Sequence, residues 1–129
     1  MKHLAIFVSD YIDKILRNQK TIESRFSLNK VAPYLVVSKG DEILLKQSGG
    51  MIVGKVEVDN VLYYDNLTGE KIGKLRKEYN SEICANDTYW QEKSSAKYAT
   101  LIFLVKSQRF LTPLKDSKKD RRSWVVLKN

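Results

Sequence analysis

Between Ser9 and Phe26 the apolar pattern of the chain changes period, and no other segment limits its fold as tightly. Tyr11, Ile12, Ile15 and Leu16 recur at the three-to-four spacing of an amphipathic helix. Ser9 suits its N-cap, Asp10 favours the positive helix end, and Asn18 can take a left-handed C-terminal position. From Thr21 alternation takes over: Thr21, Glu23 and Arg25 share one face of an extended segment, and Ile22, Ser24 and Phe26 share the other. Lys20 stands at the junction, where its ammonium can swing toward Glu23 and Arg25.

The rest of the chain reads mostly as short strands. Leu4 to Val8 predicts the first, followed by the helix from Ser9 to Asn18 and a strand from Thr21 to Phe26. Tyr34 to Val37 and Glu42 to Lys46 predict two more, separated by the turn chemistry of Lys39-Gly40-Asp41. Gly49-Gly50 reverses the chain into Met51 to Asn60, where Ile52, Gly54, Val56 and Val58 form the buried face. Gly54 within that face predicts a close backbone approach or a bend. A second helix starts after a Thr68 cap, carries Ile72, Leu75, Arg76 and Tyr79, and is expected to stop near Asn80 or Ser81. A shorter third helix begins at Asp87. Ala99 to Val105 is the most apolar strand, Pro113 closes the segment after it, and Trp124 to Leu127 is the last strand. The expected class is α+β, a small mixed β-barrel flanked by two or three helices.

At 129 residues the chain has the size of one domain, 1–129, able to bury roughly two-thirds of its unfolded surface. Its single cysteine, Cys84, cannot close an internal disulfide, which points to a reducing compartment. With His3 as the one histidine, a dedicated metal site is not expected, nor is a cofactor. No apolar run reaches membrane-span length and the N-terminus lacks a signal-peptide pattern, so the expected location is the cytoplasm. Twenty-three Lys and Arg against fifteen Asp and Glu give a net charge of +8, which favours polyanionic partners. Much of it gathers late, in Lys115, Lys118, Lys119, Arg121, Arg122 and Lys128, offset by Asp116 and Asp120. That run reads either as a solvated basic loop or as a phosphate contact.

Lys20, Glu23 and Arg25 concentrate the chemistry. A carboxylate between two cations should have its pKa pulled down, and the set can grip a phosphate or a polar ligand. It also suits acid-base catalysis if Lys20 loses its proton, or a salt-bridge network that ties helix to barrel. The spacing resembles the Gly-x-Lys-x-x-Glu-x-Arg signature of the ASCH domain family, grouped with PUA-like RNA-binding folds. Asn18 stands where that family usually has glycine, and Asn is the next most tolerant residue of positive φ. The resemblance continues through Lys39-Gly40-Asp41-Glu42-Ile43, Gly49-Gly50-Met51-Ile52-Val53-Gly54-Lys55-Val56 and Tyr98-Ala99-Thr100-Leu101-Ile102-Phe103.

A branch of small ASCH-like proteins comprises amidohydrolases of acetylated cytidine that use a lysine, a threonine and a glutamate. On that resemblance Lys20 matches the lysine, but the threonine of the branch's Lys-Thr-Ile-Thr is Glu23 here, and Glu78 is the candidate second carboxylate. A carboxylate in place of the hydroxyl suits activation of water better than direct attack on an amide. Other ASCH proteins are associated with ribonuclease activity, for which Lys20, Glu23 and Arg25 would activate a ribose hydroxyl and stabilise a phosphorane. His3 reads as a surface or strand-end residue and Cys84 as a small core residue. Trp90 and Trp124 read either as core caps of the barrel or as stacking rings beside cations, and Tyr89 and Tyr98 as further stacking candidates.

The leading expectation is binding of RNA, or a nucleotide-like part of it, in a basic cleft floored by Lys20, Glu23 and Arg25. Tyr98, Arg122, Ser123 and Trp124 would form the opposite wall, with Arg121 and the basic run on the phosphates. The alternatives are a small hydrolase in which Lys20 and Glu23 are catalytic, acting on a modified nucleoside or on RNA, and a domain that meets an acidic protein partner.

Overall fold

The computed structural model describes residues 1–116 and 121–127, so Lys118, Lys119, Asp120 and Lys128 of the basic run lie outside the described residues. In chain order the elements are β1 (Lys2–Phe7), α1 (Tyr11–Leu16), β2 (Ile22–Ser27), β3 (Glu42–Gln47), β4 (Ile52–Tyr64), α2 (Gly69–Ile83), α3 (Asp87–Glu92), β5 (Tyr98–Leu114) and β6 (Trp124–Leu127). The strands form one six-stranded sheet in the order β2-β5-β4-β3-β1-β6, curled into a half-barrel of the expected α+β class. All pairings are antiparallel except β1 with β3.

Two apolar faces follow from strand alternation. Inside the curl, Ala5, Phe7, Ile43, Leu45, Val56, Val58, Ile102 and Leu104 pack with Ile12 and Ile15 of α1. Outside it, Ile22, Phe26, Ala99 and Leu101 pack under α2 and α3 through Ile72, Leu75, Ile83 and Trp90. β2 serves both faces: its Ile22 and Phe26 look out to the helices, and Glu23 and Arg25 look toward the interior core.

Several sequence expectations are corrected. Tyr34 to Val37 forms no strand: turns run from Ala32 to Val36, and Val37 follows them. Leu35 has φ 61°, and the Tyr63 hydroxyl takes the place of a strand partner, accepting from the Val37 N–H at 2.8 Å and donating to its carbonyl at 2.5 Å. The first helix is shorter than Ser9 to Asn18, because Ser9 at φ 53° cannot act as N-cap; Asp10 holds that position without a side-chain cap. Asn18 does adopt the left-handed conformation, at φ 61°. α2 is capped by Thr68, whose hydroxyl accepts from Lys71 N–H, and it runs on to Ile83 because Cys84 supplies the left-handed cap at φ 64°. β4 and β5 outrun their expected ends, pairing from Tyr64↔Ala99 to Ile52↔Leu114 with three register shifts, and Pro113 lies inside β5 near its exposed end. Cys84 is half-buried and outside the core, and His3 is fully buried in β1. Among the described residues no helix is long and apolar enough to cross a membrane.

The expected close approach at Gly54 is present. A Cβ there would sit 2.5 Å from the Gln108 carbonyl oxygen and 3.4 Å from Arg109 Cα, both backbone atoms that cannot swing away. Gly54→Ala is therefore expected to lower stability by about 1–3 kcal/mol in denaturant unfolding, by forcing β4 and β5 apart.

Candidate functional site

β2 is an edge strand, and the other edge of the curled sheet is β6. Arg25 spans the gap between them. Its Nη2 donates to the Ile6 carbonyl on β1 at 3.0 Å and its Nη1 to the Ser123 carbonyl just before β6 at 3.4 Å. The Ser123 oxygen also accepts from the Ile6 N–H at 2.9 Å. A guanidinium thus supplies across the open seam the hydrogen bonds that a further strand pairing would otherwise make. Its carbon lies 5.0 Å from the Phe7 ring centre and 5.2 Å from that of Trp124, so the cation rests on aromatic faces.

Glu23 fixes Arg25 from the same strand. Arg25 Nε donates to Glu23 Oε2 at 2.7 Å, and Lys20 Nζ lies 3.2 Å from Oε1, so each carboxylate oxygen meets one cation. Burial, the largest single influence, disfavours the Glu23 charge; Arg25 and then Lys20 outweigh it by charge and hydrogen bonding, and hold the carboxyl below its usual range. Glu23 is only 7% exposed and Lys20 3%.

Lys20 reaches this position because its N–H and that of Gln19 both donate to the Lys14 carbonyl, turning the chain sharply out of α1. Its Nζ then donates to the carbonyls of Ile22 at 3.0 Å and Ile83 at 2.6 Å, besides facing Glu23. Ile83 ends α2, where the helix dipole favours a cation. An ammonium has three N–H groups, and all three are engaged. Lys20 therefore joins α2, β2 and Glu23, with no donor left for a ligand. Arg25 uses three of its five N–H groups on oxygens of the described residues, which leaves two without a partner among them.

A cavity of about 450 Å³ opens on the seam beside this network. Its floor is Glu23 and Arg25, one wall is the end of β1 with Tyr11, and the other is the segment from Ile83 to Lys93. Tyr89 dominates that wall. Its hydroxyl donates to the Ser24 carbonyl at 3.1 Å and pairs with Ser24 Oγ at 2.8 Å. Burial foremost, then the Glu23 charge, pushes the Tyr89 phenol far above its ordinary pKa, so it acts as a neutral donor. Asn86 starts α3 by accepting from Tyr89 N–H, which sets the ring's direction. Lys93 Nζ lies 5.4 Å from that ring, and Glu92 also borders the cavity.

Of the residues singled out from sequence, Lys20, Glu23, Arg25 and Ser123 meet at the cavity. Trp124 is 2% exposed and lies beneath Arg25, so it supports the floor and offers no open stacking face. Tyr98 does not line the cavity; it packs on Tyr34 with ring centres 5.0 Å apart, beyond Arg25 along the same face. Arg121 and Arg122 are exposed ahead of β6 and are not part of the lining. Glu78 is exposed on α2 and is likewise absent from it. Tyr89 was a stacking candidate only. Ser24 shares the Ile22 and Phe26 face of β2, and its role depends on Tyr89 arriving from sixty-five residues away.

His3 contributes from behind the floor. The Trp124 Nε1–H donates to His3 Nδ1 at 3.1 Å, and His3 Nε2 lies 2.8 Å from Asp41 Oδ2. Indole only donates, so Nδ1 is the acceptor and Nε2 carries the proton toward Asp41. The Asp41 carboxyl is held below its usual range: burial opposes this, and hydrogen bonds from His3, the Ser38 N–H and the Met1 amino group overcome it. This relay fixes the plane of the indole on which Arg25 rests. Among the described residues, no group of three or more His, Cys, Asp and Glu is placed to hold a metal ion.

Residues 6–108 match the family model of the ASCH domain. Among solved structures, the ASCH protein of Zymomonas mobilis superposes with a TM-score of 0.76 at 13% identity, over 98% of this chain and 87% of that one. The ASCH domain of Lactobacillus crispatus gives 0.53 at 12% identity, over 83% of this chain and 80% of that one. The N-terminal domain of Staphylothermus marinus McrB gives 0.50 at 13%, over 88% and 76%. These likenesses establish a shared fold. No curated protein matches the sequence.

The electrostatics of the floor set a pH dependence. Because the folded Glu23 pKa is depressed, its stabilisation is fully present above the unfolded pKa and is lost as pH falls through the folded one. Glu23→Gln is expected to cost about 3–5 kcal/mol near neutral pH, where it leaves the buried Lys20 and the half-buried Arg25 short of a counter-charge. In chemical denaturation the stability gap between variant and wild type should begin to narrow as pH falls below about 5 and go on narrowing until Glu23 protonates in the folded state.

Proposed function

The chain belongs to the ASCH domain family, and from that premise we propose that it binds RNA, or a nucleotide-like part of it, in the cavity beside Arg25. The observation that carries this reading is a guanidinium locked in place by Glu23, Ile6 and Ser123, with two N–H groups unspent at the edge of a cavity of about 450 Å³. Such a donor pair suits a phosphate or a nucleobase carbonyl, and its fixed position lowers the ordering cost of binding. Tyr89 and Tyr11 border the same space and offer ring surface to a base, while Lys93 adds a cation at the rim. The net charge of +8 supports attraction of a polyanion to this site.

The chemistry of the floor favours binding over hydrolysis. A general base needs a free lone pair, and Lys20 spends all three N–H groups on Ile22, Ile83 and Glu23. Both Glu23 oxygens are held by cations, so the carboxylate is a weak base for water. Ser24 Oγ lies 2.8 Å from the Tyr89 hydroxyl, and a phenol kept protonated cannot activate it.

Arg25→Lys keeps a cation but loses the fork that reaches Glu23, Ile6 and Ser123 together. It is expected to weaken binding of mixed-sequence single-stranded RNA about 5- to 150-fold, the equivalent of ~1–3 kcal/mol, in fluorescence anisotropy. Wild-type affinity should fall steeply with added salt. Salt-independent binding, or none, would sink the reading. Turnover of acetylcytidine or of short RNA that is lost in folded Lys20→Ala would instead establish the hydrolase.

A further inference from the structure

Arg25 divides the seam without closing it. On its far side lies a second, smaller depression of about 70 Å³, lined by Ser27, Val31, Ala32, Pro33 and Thr100, which shares Arg25, Phe26 and Ser123 with the main cavity. The two hollows are consecutive stations along the free edge of β2.

That edge carries specific hydrogen-bonding groups. Leu104 N–H donates to the Thr21 carbonyl, so the odd-numbered residues of β2 pair with β5 and the main-chain groups of Ile22, Ser24 and Phe26 point away into the seam. The Ile22 carbonyl is taken by Lys20 and the Ser24 carbonyl by Tyr89. The N–H and C=O of Phe26, at the boundary of the two hollows, are engaged by no described side chain. Beyond it, Lys97 follows directly, its N–H donating to the Ser27 carbonyl, and Lys30 lies with Nζ 5.8 Å from the Tyr98 ring. Both lysines are exposed, and neither has a carboxylate partner among the described residues.

Resting on the reading of the main cavity as a nucleotide site, we infer that the ligand is a strand and not a lone nucleoside. One nucleotide occupies the main cavity, its neighbour passes Arg25 into the second depression against Val31 and Pro33, and Lys97 and Lys30 meet the phosphate that follows. A sheet edge also invites an added peptide strand, but here Lys20 and Tyr89 already cap two successive edge carbonyls, which leaves too short a ladder for one. The cations beyond Phe26 fit a polyanion, and no acidic residue lines the second depression.

The test compares a nucleoside monophosphate mixture with mixed-sequence single-stranded RNA octamers on the full chain, at one salt concentration. The octamer is expected to bind at least about tenfold tighter. The double variant Lys30→Glu, Lys97→Glu should lose about tenfold on the octamer and leave the monophosphate unchanged, as each lost phosphate contact removes affinity without touching the first cavity. Val31→Asp, at an exposed position, should give the same selective loss. Equal affinity for the two ligands, or an octamer affinity untouched in both variants, overturns the extended groove while the main-cavity reading stands. Absence of binding by either ligand removes both. An acidic octapeptide that competes as well as the RNA octamer also overturns it, in favour of a protein partner.

Discussion

The buried contact between Glu23 and its two cations is the interaction on which the rest of the site depends. Curling a six-stranded sheet brings its first and last edges near each other without pairing them, and Arg25 bridges that gap to Ile6 and Ser123. A half-buried guanidinium on aromatic faces favours a counter-charge, and among the described residues Glu23 supplies it at hydrogen-bonding distance. Glu23 is itself buried, and Lys20, between α1 and β2, brings a second cation that is also held by the Ile83 carbonyl at the end of α2. The three residues therefore act as one unit: it joins the helical layer to the sheet, bridges the seam, and sets the floor of the cavity.

This division of labour separates positioning from contact within a single motif. Lys20 is saturated by protein oxygens and acts through Glu23; Arg25 keeps two N–H groups for something outside the protein. Support continues behind the floor, where Asp41 orients His3, His3 orients Trp124, and the indole carries the guanidinium. Residues from both ends of the chain thus hold one side chain on β2. Such over-determination is what a preorganised binding group requires, since a loose arginine would lose its advantage to ordering entropy.

The parts of this arrangement legible in sequence were the local ones. The change of period between Leu16 and Thr21 locates both α1 and β2, and strand alternation puts Glu23 and Arg25 on one face. Gly54 was readable as a close approach because only a missing Cβ fits there. What alternation cannot show is which distant element completes a site. Tyr89 and Ser24 meet across sixty-five residues, Trp124 and His3 across one hundred and twenty-one, and nothing in either neighbourhood marks the pairing. Tyr98 is expected at the opposite wall from the order of the motifs alone; the register Ser27↔Tyr98 instead carries it past Arg25 to Tyr34. The loop from Tyr34 to Val37 misled because an apolar run reads as a strand, whereas its groups are satisfied by Tyr63.

Family and fold leave the ligand open, so the decisive question is where RNA touches the chain. Side-chain and backbone NMR shifts, followed while a single-stranded RNA octamer is titrated in at low salt, address it directly. The account predicts that the Arg25 Nε–H resonance and the amides of Ser24, Phe26 and Tyr89 move together and saturate at one affinity. Shifts confined to the basic segment around Lys115, Arg121 and Arg122, with Arg25 unmoved, would contradict it.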